Sequence, residues 1–160
     1  MISNKNIILF TTLLFFCLMV LLSAYFIEYH LNHSPCNLCL IERIPYIVTI
    51  ILTLLVLIFK KYEKITLITI GILFIFGAIT SFYHFGIEQG FFNESFVCDL
   101  TNGNKVLSTK DLLKELESKN VSCKDVTFRV LGLSLATFNT IISLIISVIV
   151  LKKSINYEKN

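Results

Sequence analysis

The chain of 160 residues is too apolar for a soluble domain: 55% of its residues are hydrophobic, 16% are charged, and its mean hydropathy is +0.78. A soluble domain carries about 25% charged residues, so this chain lacks the polar surface that water requires. The net charge of +3 comes from basic residues scattered between apolar runs, which argues against nucleic-acid binding. There is no dinucleotide fingerprint and no phosphate-binding loop, which argues against nucleotide hydrolysis.

Four apolar runs predict an all-α integral membrane protein, a four-transmembrane-helix bundle that forms a single domain over residues 1–160. The runs cover about 7–27, 40–59, 65–85 and 130–151, and each can cross about 30 Å of hydrocarbon as a helix. A cleaved signal peptide is the alternative for the first run. Its apolar region would be about 7 to 15 residues, and this run is longer, so a retained helix is favoured.

The distribution of lysines predicts a multi-pass membrane protein with both termini in the cytoplasm. Lysines are dense in the two tails and in the turn after the second run, whereas the other basic residues are diluted over a long, acid-rich stretch. The loops 28–39 and 86–129 then face outward. The lysines in the three short segments are Lys5, Lys60, Lys61, Lys64, Lys152, Lys153 and Lys159.

Four of the five cysteines, Cys36, Cys39, Cys98 and Cys123, lie in or beside the two outward loops. An even set on the oxidising side of a membrane indicates two disulfide-capable pairs. Stapling of exposed loops is the simpler interpretation for Cys98 and Cys123. A bond between Cys36 and Cys39 would close too short a loop to add much stability, so this spacing favours redox chemistry. Cys17 lies inside the first run and is expected to be a small buried residue.

The local sequence around the Cys-x-x-Cys motif predicts a helix start. Ser34 can cap the helix and Pro35 suits its first position, which would place both thiols in the first turn, on one face with Arg43. An arginine inside a membrane span is costly unless it serves a site, so we expect Arg43 to stabilise a thiolate and bind an electron acceptor. The alternative is an interfacial anchor paired with Glu42. Pro45 is expected to kink the span.

Between Cys98 and Cys123, the sequence from Ser108 predicts a short amphipathic helix. Leu112, Leu113 and Leu116 fall on one side of it, with charged residues elsewhere. We expect this helix to lie on the outer membrane surface and to tether the loop. A solvated helix packed on the bundle by its leucines is equally compatible with the pattern.

Together these features resemble the bacterial disulfide-bond formation protein B (DsbB) family, the quinone-linked oxidases of periplasmic thiols. The resemblance covers nearly the whole chain. It is carried by the Cys-x-x-Cys motif with Glu42 and Arg43 at the second span and by the second cysteine pair in the long loop. The segments 83–89 and 131–136, which close the third span and open the fourth, also match.

The resemblance implies a two-stage relay and a membrane quinone, ubiquinone or menaquinone, as cofactor. Cys98 and Cys123 would form the disulfide attacked by a periplasmic thioredoxin-like oxidant of the DsbA kind, with Cys98 in the mixed disulfide. Cys123 would exchange with Cys36 and free Cys39 to meet the quinone. Arg43 and His84 match family positions at the quinone.

Three other interpretations remain. A reductase of the vitamin K epoxide type would carry its Cys-x-x-Cys at the last helix, and here the fourth span has none. A four-span scaffold with a disulfide-stapled outward loop and no catalysis would not need Arg43 inside the span. A metal site built from all four outward cysteines is possible by ligand count, but the compartment favours disulfides.

Overall fold

The computed structural model describes residues 4–93, 98, 123–124, 129–130 and 132–156. Within these residues the helices are α1 (Asn4–His30), α2 (Asn37–Ile41), α3 (Ile44–Phe59), α4 (Glu63–Glu88) and α5 (Leu135–Ile155). Strands β1 (Arg129–Val130) and β2 (Leu133–Ser134) form a small antiparallel hairpin. The amphipathic helix predicted from Ser108 lies outside the described residues.

The described residues contain four helical stretches that are long and apolar enough to cross a membrane, which confirms the predicted fold class. They are Asn6–His30, Asn37–Phe59, Glu63–Glu88 and Leu135–Ile155. Helix α4 packs most extensively against α5 and also against α3, and α1 packs against α3. Their outward faces carry exposed phenylalanine, leucine and isoleucine side chains, as expected for surfaces that contact lipid.

Two of the predicted spans differ from the observed helices. The last helix begins at Leu135 rather than at residue 130, because Gly132 adopts a left-handed conformation (φ +83°) and the two short strands on either side of it pair as the hairpin. The hydroxyl of Ser134 then caps α5 by accepting from the backbone N–H of Thr137 at 3.3 Å. The second span is divided into α2 and α3 by a turn at Glu42 and Arg43.

The apolar core fills the half of the bundle that contains the beginning of α1 and the end of α5, here called the terminal end. Phe10, Leu67 and Val150 are fully buried there. Small residues let the helices approach: a Cβ added at Gly77 would lie 3.2 Å from the Pro45 ring. The other half, which contains Cys36 and Cys39 at the start of α2, is called the cysteine end. Its buried side chains are of different kinds from those of the terminal end.

Candidate functional site

Cys36 is the N-terminal cap of helix α2, whereas Ser34 was predicted as the cap and Pro35 as the first helical residue. It has an extended conformation, and its sulfur accepts a hydrogen bond from the backbone N–H of Cys39 at 3.3 Å. The cap therefore comes from the first cysteine itself, one residue after the proline, so the prediction of Ser34 as the cap was wrong.

Pro45 lies in the first turn of α3, where its missing N–H costs little, so it starts a helix rather than kinking one.

The two thiols and an imidazole meet at the cysteine end. The sulfurs of Cys36 and Cys39 lie 2.8 Å apart, and Nε2 of His84 lies 3.5 Å from the Cys36 sulfur. Cys36 is buried and Cys39 is half-buried. Hydrogen bonds from the Cys39 thiol and from His84 lower the pKa of Cys36 below its ordinary value, against the opposing effect of burial.

A buried carboxylate holds the imidazole from behind. Oε1 of Glu42 lies 2.8 Å from Nδ1 of His84, and Oε2 accepts from the Asn139 amide at 2.8 Å. The same amide nitrogen donates to Ser81 at 2.6 Å, and the Asn139 oxygen accepts from the Tyr46 hydroxyl. Three helical segments and the turn before α3 are thus joined through one network. Since Nδ1 faces a carboxylate, Nε2 is left pointing at the thiols.

Glu88 lies one turn beyond His84 on α4, with Oε1 3.7 Å from Nε2 of His84. Its side chain is only 6% exposed. Its second oxygen, Oε2, is buried without a hydrogen-bond partner among the described residues. A buried carboxylate oxygen without a partner is costly, so this atom indicates a place where a ligand or a proton is accommodated.

Arg43 pairs with α1 rather than with its neighbour Glu42. Its NH1 group donates to Oε2 of Glu28 at 2.8 Å, and its guanidinium lies 5.0 Å from the centre of the Tyr25 ring. Arg43 and Cys39 therefore do not share one continuous helix face, because the turn at Glu42 and Arg43 lies between them. Both side chains nevertheless line the same cavity.

That cavity has a volume of about 350 Å³ and lies between α1, α2, the start of α3, the end of α4 and the start of α5. Its apolar wall includes Val20, Ile27 and Ile142. Its polar side is formed by both cysteines of the motif and by the charged and hydrogen-bonding groups around them: Cys36, Cys39, Glu28, Glu42, Arg43, His84, Glu88 and Asn139. This size and lining are typical of sites for small organic molecules.

The second cysteine pair adjoins the first. Cys98 and Cys123 form a disulfide, and Cys123 is buried in a cluster with Cys36, Leu38 and Ile87. Cys123 also lines the cavity. The chain therefore brings the four predicted site cysteines into one neighbourhood, although Cys98 and Cys123 are 25 positions apart in the sequence and most of the chain between them lies outside the described part.

Four residues that the structure brings to the site had no predicted role there: Glu28, Glu42, Glu88 and Asn139. Glu42 was expected only as a partner of Arg43. A carboxylate or a carboxamide inside or beside an apolar span is the signal that could have revealed them, because such groups need partners in a membrane. Asn139 is the one carboxamide in the run 130–151.

The fold and this cluster define a class: a four-helix membrane protein with a dithiol, an adjoining disulfide and a cavity. The family model described as "Disulfide bond formation protein DsbB" matches residues 6–152. The chain belongs to this family and is a multi-pass membrane protein. An uncharacterised protein of Rickettsia prowazekii (strain Madrid E) is 31% identical over 129 residues, which is 79% of this chain and 75% of that protein. No solved structure matches the chain.

Proposed function

We propose that this protein is a membrane protein-thiol:quinone oxidoreductase that reoxidises a periplasmic thioredoxin-like disulfide donor. The observation that carries the proposal is the dithiol of Cys36 and Cys39 beside a cavity, with one sulfur of the Cys98–Cys123 disulfide buried next to it. Family membership supports an oxidoreductase that acts in disulfide formation. A scaffold with a stapled loop would need neither the free thiols nor the cavity.

The cavity residues fit a quinone. Its apolar wall suits a hydrophobic ring and tail, and the Arg43 guanidinium and the His84 imidazole are hydrogen-bond donors of the kind that carbonyl oxygens accept. Ubiquinone or menaquinone, when bound, supplies an acceptor for two electrons and two protons. Arg43 is held by Glu28 and Tyr25, which keeps its cation at the cavity wall rather than in solvent.

The relay conserves atoms and electrons at each exchange. A thiolate of the soluble partner attacks Cys98, so that the Cys98–Cys123 bond breaks, a mixed disulfide forms and Cys123 is released as a thiolate. Cys123 then attacks Cys36 of an oxidised Cys36–Cys39 pair, which releases Cys39 as a thiolate. The second thiol of the partner attacks the partner sulfur of the mixed disulfide and displaces Cys98 as a thiolate. Cys98 then attacks Cys123 of the Cys123–Cys36 disulfide, which re-forms the Cys98–Cys123 bond and releases Cys36 as a thiolate. The two electrons then rest on the Cys36–Cys39 side, beside the cavity.

His84 and Glu42 contribute to this relay by position. The imidazole contacts the Cys36 sulfur and thereby favours its thiolate form, and the carboxylate keeps the ring oriented. Both termini of the chain are expected in the cytoplasm, because lysines are dense in the tails and in the 60–64 turn. The soluble partner is therefore expected on the periplasmic side of the inner membrane.

The test is oxidation of a reduced thioredoxin-fold protein by the purified full-length chain in detergent with added quinone. One quinone should be reduced for each disulfide formed. Cys98→Ser should abolish the covalent complex with the donor, seen on a non-reducing gel, while the Cys36–Cys39 pair still reduces quinone. If Cys98→Ser and the parent oxidised the donor equally fast, the proposed route through the loop disulfide would be wrong.

A further inference from the structure

The cluster of Cys36, Cys39, His84 and Glu88, here called the dithiol cluster, has the composition of a metal site. The two sulfurs and the imidazole nitrogen lie within 4.8 Å of one another. All four residues line the cavity, so an ion has a route to them. We propose that the reduced dithiol cluster binds a zinc-type divalent cation.

The distances between the proposed ligand atoms fit a tetrahedral zinc site, provided that the two sulfurs move apart. With Zn–S bonds of about 2.3 Å and Zn–N bonds of about 2.0 Å, a sulfur and a nitrogen ligand lie about 3.5 Å apart. The Cys36 sulfur and Nε2 of His84 are separated by 3.5 Å. Two sulfur ligands lie about 3.8 Å apart in such a shell. The thiols, at 2.8 Å, would therefore separate by about 1 Å, which a side-chain rotation at Cys39 can supply.

His84 is already oriented as a metal ligand. Its Nδ1 faces the Glu42 carboxylate at 2.8 Å, and Glu42 is in turn fixed by Asn139. Histidines that bind zinc commonly donate their other ring N–H to a carboxylate, which fixes the tautomer and makes the ligating nitrogen more basic. The sequence reveals none of this, because Glu42, His84 and Asn139 lie on three separate helical runs or their connections.

Glu88 supplies the independent sign of a missing ligand. Its Oε2 atom is buried and has no hydrogen-bond partner among the residues that the structure describes, while Oε1 lies 3.7 Å from Nε2 of His84. A cation held by the thiolates and the imidazole would be neighbour to this carboxylate and would satisfy it as the fourth ligand. The same atom has no role in the proposed relay.

The donor set selects the class of ion. Two thiolates and an imidazole favour zinc and other borderline or soft divalent ions, whereas magnesium and calcium require oxygen ligands. Binding is an exchange of ions without redox: one divalent cation enters and the two thiols release their protons. A Cys36–Cys39 disulfide has no thiolate to offer, so only the reduced pair binds.

The site gives the relay an off state. With the cation bound, neither thiolate is free to reduce an acceptor or to re-form the disulfide, so the ion competes with reoxidation. This consequence rests on the proposed function. The binding itself does not, because it needs only the reduced cluster.

The experiment titrates cadmium, a spectroscopic substitute for zinc, into the purified full-length Cys98→Ser/Cys123→Ser variant, reduced by a phosphine and free of quinone. This background removes the loop thiols and leaves the cluster intact. We expect one cadmium per chain with an ultraviolet thiolate-to-cadmium band, displaced by zinc. Adding Cys36→Ser and Cys39→Ser should weaken binding by at least about a hundredfold, since both thiolates are lost. An unchanged band would overturn the proposal.

Single substitutions identify the other ligands. His84→Ala and Glu88→Gln should each weaken cadmium binding by about tenfold or more, and Glu42→Gln by about tenfold through its hold on the His84 ring. Glu28→Gln is the matched control, a cavity carboxylate that pairs with Arg43, and it should leave the affinity unchanged. If His84→Ala loses helix content by circular dichroism, His84→Gln replaces it. If the His84 and Glu88 variants bound cadmium as tightly as the Cys98→Ser/Cys123→Ser background does, neither residue would be a ligand. Only the two thiols would then bind the ion, and the proposed four-residue site would be refuted.

A separate assay of the unmodified chain keeps the two proposals apart. Zinc should slow quinone-dependent oxidation of the donor, and chelation should restore the rate. A chain that binds cadmium at the cluster but never reduces quinone would refute the proposed function and leave the metal site standing. Turnover without cadmium binding would refute the metal site and leave the proposed function standing.

Discussion

The two ends of the helical bundle are built from different kinds of side chain. At the terminal end, Phe10, Leu67 and Val150 are fully buried, and the buried polar contact described there joins Asn6 to Glu63 at 2.7 Å. At the cysteine end, carboxylates, an imidazole, an amide and thiols converge on a cavity of about 350 Å³. The fully buried side chains of the terminal end pack together in an apolar cluster, whereas those of the cysteine end surround a cavity with a polar side.

The buried carboxylates of Glu63 and Glu42 show how the terminal end and the cysteine end differ. Glu63 has one described partner, Asn6, and does not line the cavity. Glu42 has two partners on two other helices, His84 and Asn139, and its side chain lines the cavity. Hydrogen bonds between membrane helices contribute only about 0.6 kcal/mol on average. The polar network is therefore better explained by the orientation of His84 than by stability, whereas close packing holds the terminal end together.

The largest effect should come from the cysteine end. Cys39→Ser removes the thiol proposed to meet the electron acceptor while nearly preserving side-chain volume, so quinone-dependent turnover should fall to background with little change in thermal stability. Cys17→Ser is the matched control, because Cys17 is buried in the apolar core. Steady-state quinone reduction measures the effect. Substantial turnover in Cys39→Ser would mean that the electrons leave by another sulfur.

The terminal end should respond in stability rather than in activity. Phe10 lies with Leu13 and Cys17 on the buried face of α1, so Phe10→Ala leaves a cavity and should lower the free energy of unfolding by about 3 kcal/mol. Phe15→Ala is the control, since that side chain is 63% exposed on the lipid-facing side and should change stability little. Unfolding in mixed micelles compares them. Equal losses in both variants would contradict the packed-core description.

The four spans and the two cysteine pairs could be predicted because each signal is local in the sequence. Apolar runs of sufficient length predict membrane helices, and a Cys-x-x-Cys at the mouth of a run predicts redox chemistry. Helix ends were less predictable. The start of α5 depends on a hairpin around Gly132, the start of α2 depends on Cys36 acting as its cap, and the turn at Glu42 and Arg43 divides α2 from α3.

The partners of buried polar groups could not be predicted, because they lie far apart in the sequence. Glu42 was expected beside Arg43, its neighbour in the chain, yet it faces His84 and Asn139, and Arg43 faces Glu28. Helix rotation decides these contacts, and the apolar pattern fixes rotation poorly when every face is hydrophobic. The expectations that Arg43 and His84 contact a quinone stay predictions.

The smallest of the expected effects concerns Arg43, which lies at the border between the cavity and lipid-facing α1. Arg43→Ala removes a charge-assisted hydrogen-bond donor from the cavity wall, so the apparent quinone KM should rise about tenfold while kcat changes much less. Arg43→Lys keeps the charge but loses the planar fork, and it should recover only part of the affinity.

The Glu28→Gln variant distinguishes two roles for Arg43, which are binding of the electron acceptor and anchoring of α3 to α1. It removes the carboxylate that fixes the guanidinium at 2.8 Å but leaves the cation and the Tyr25 ring in place. If Arg43 binds the acceptor, Glu28→Gln should raise KM less than Arg43→Ala does, because the cation still reaches the cavity with poorer orientation. If Arg43 only anchors α3 to α1, both variants should lose stability alike and leave KM unchanged. Acceptor binding at the cysteine end would then depend on the apolar wall of the cavity and on polar groups other than Arg43.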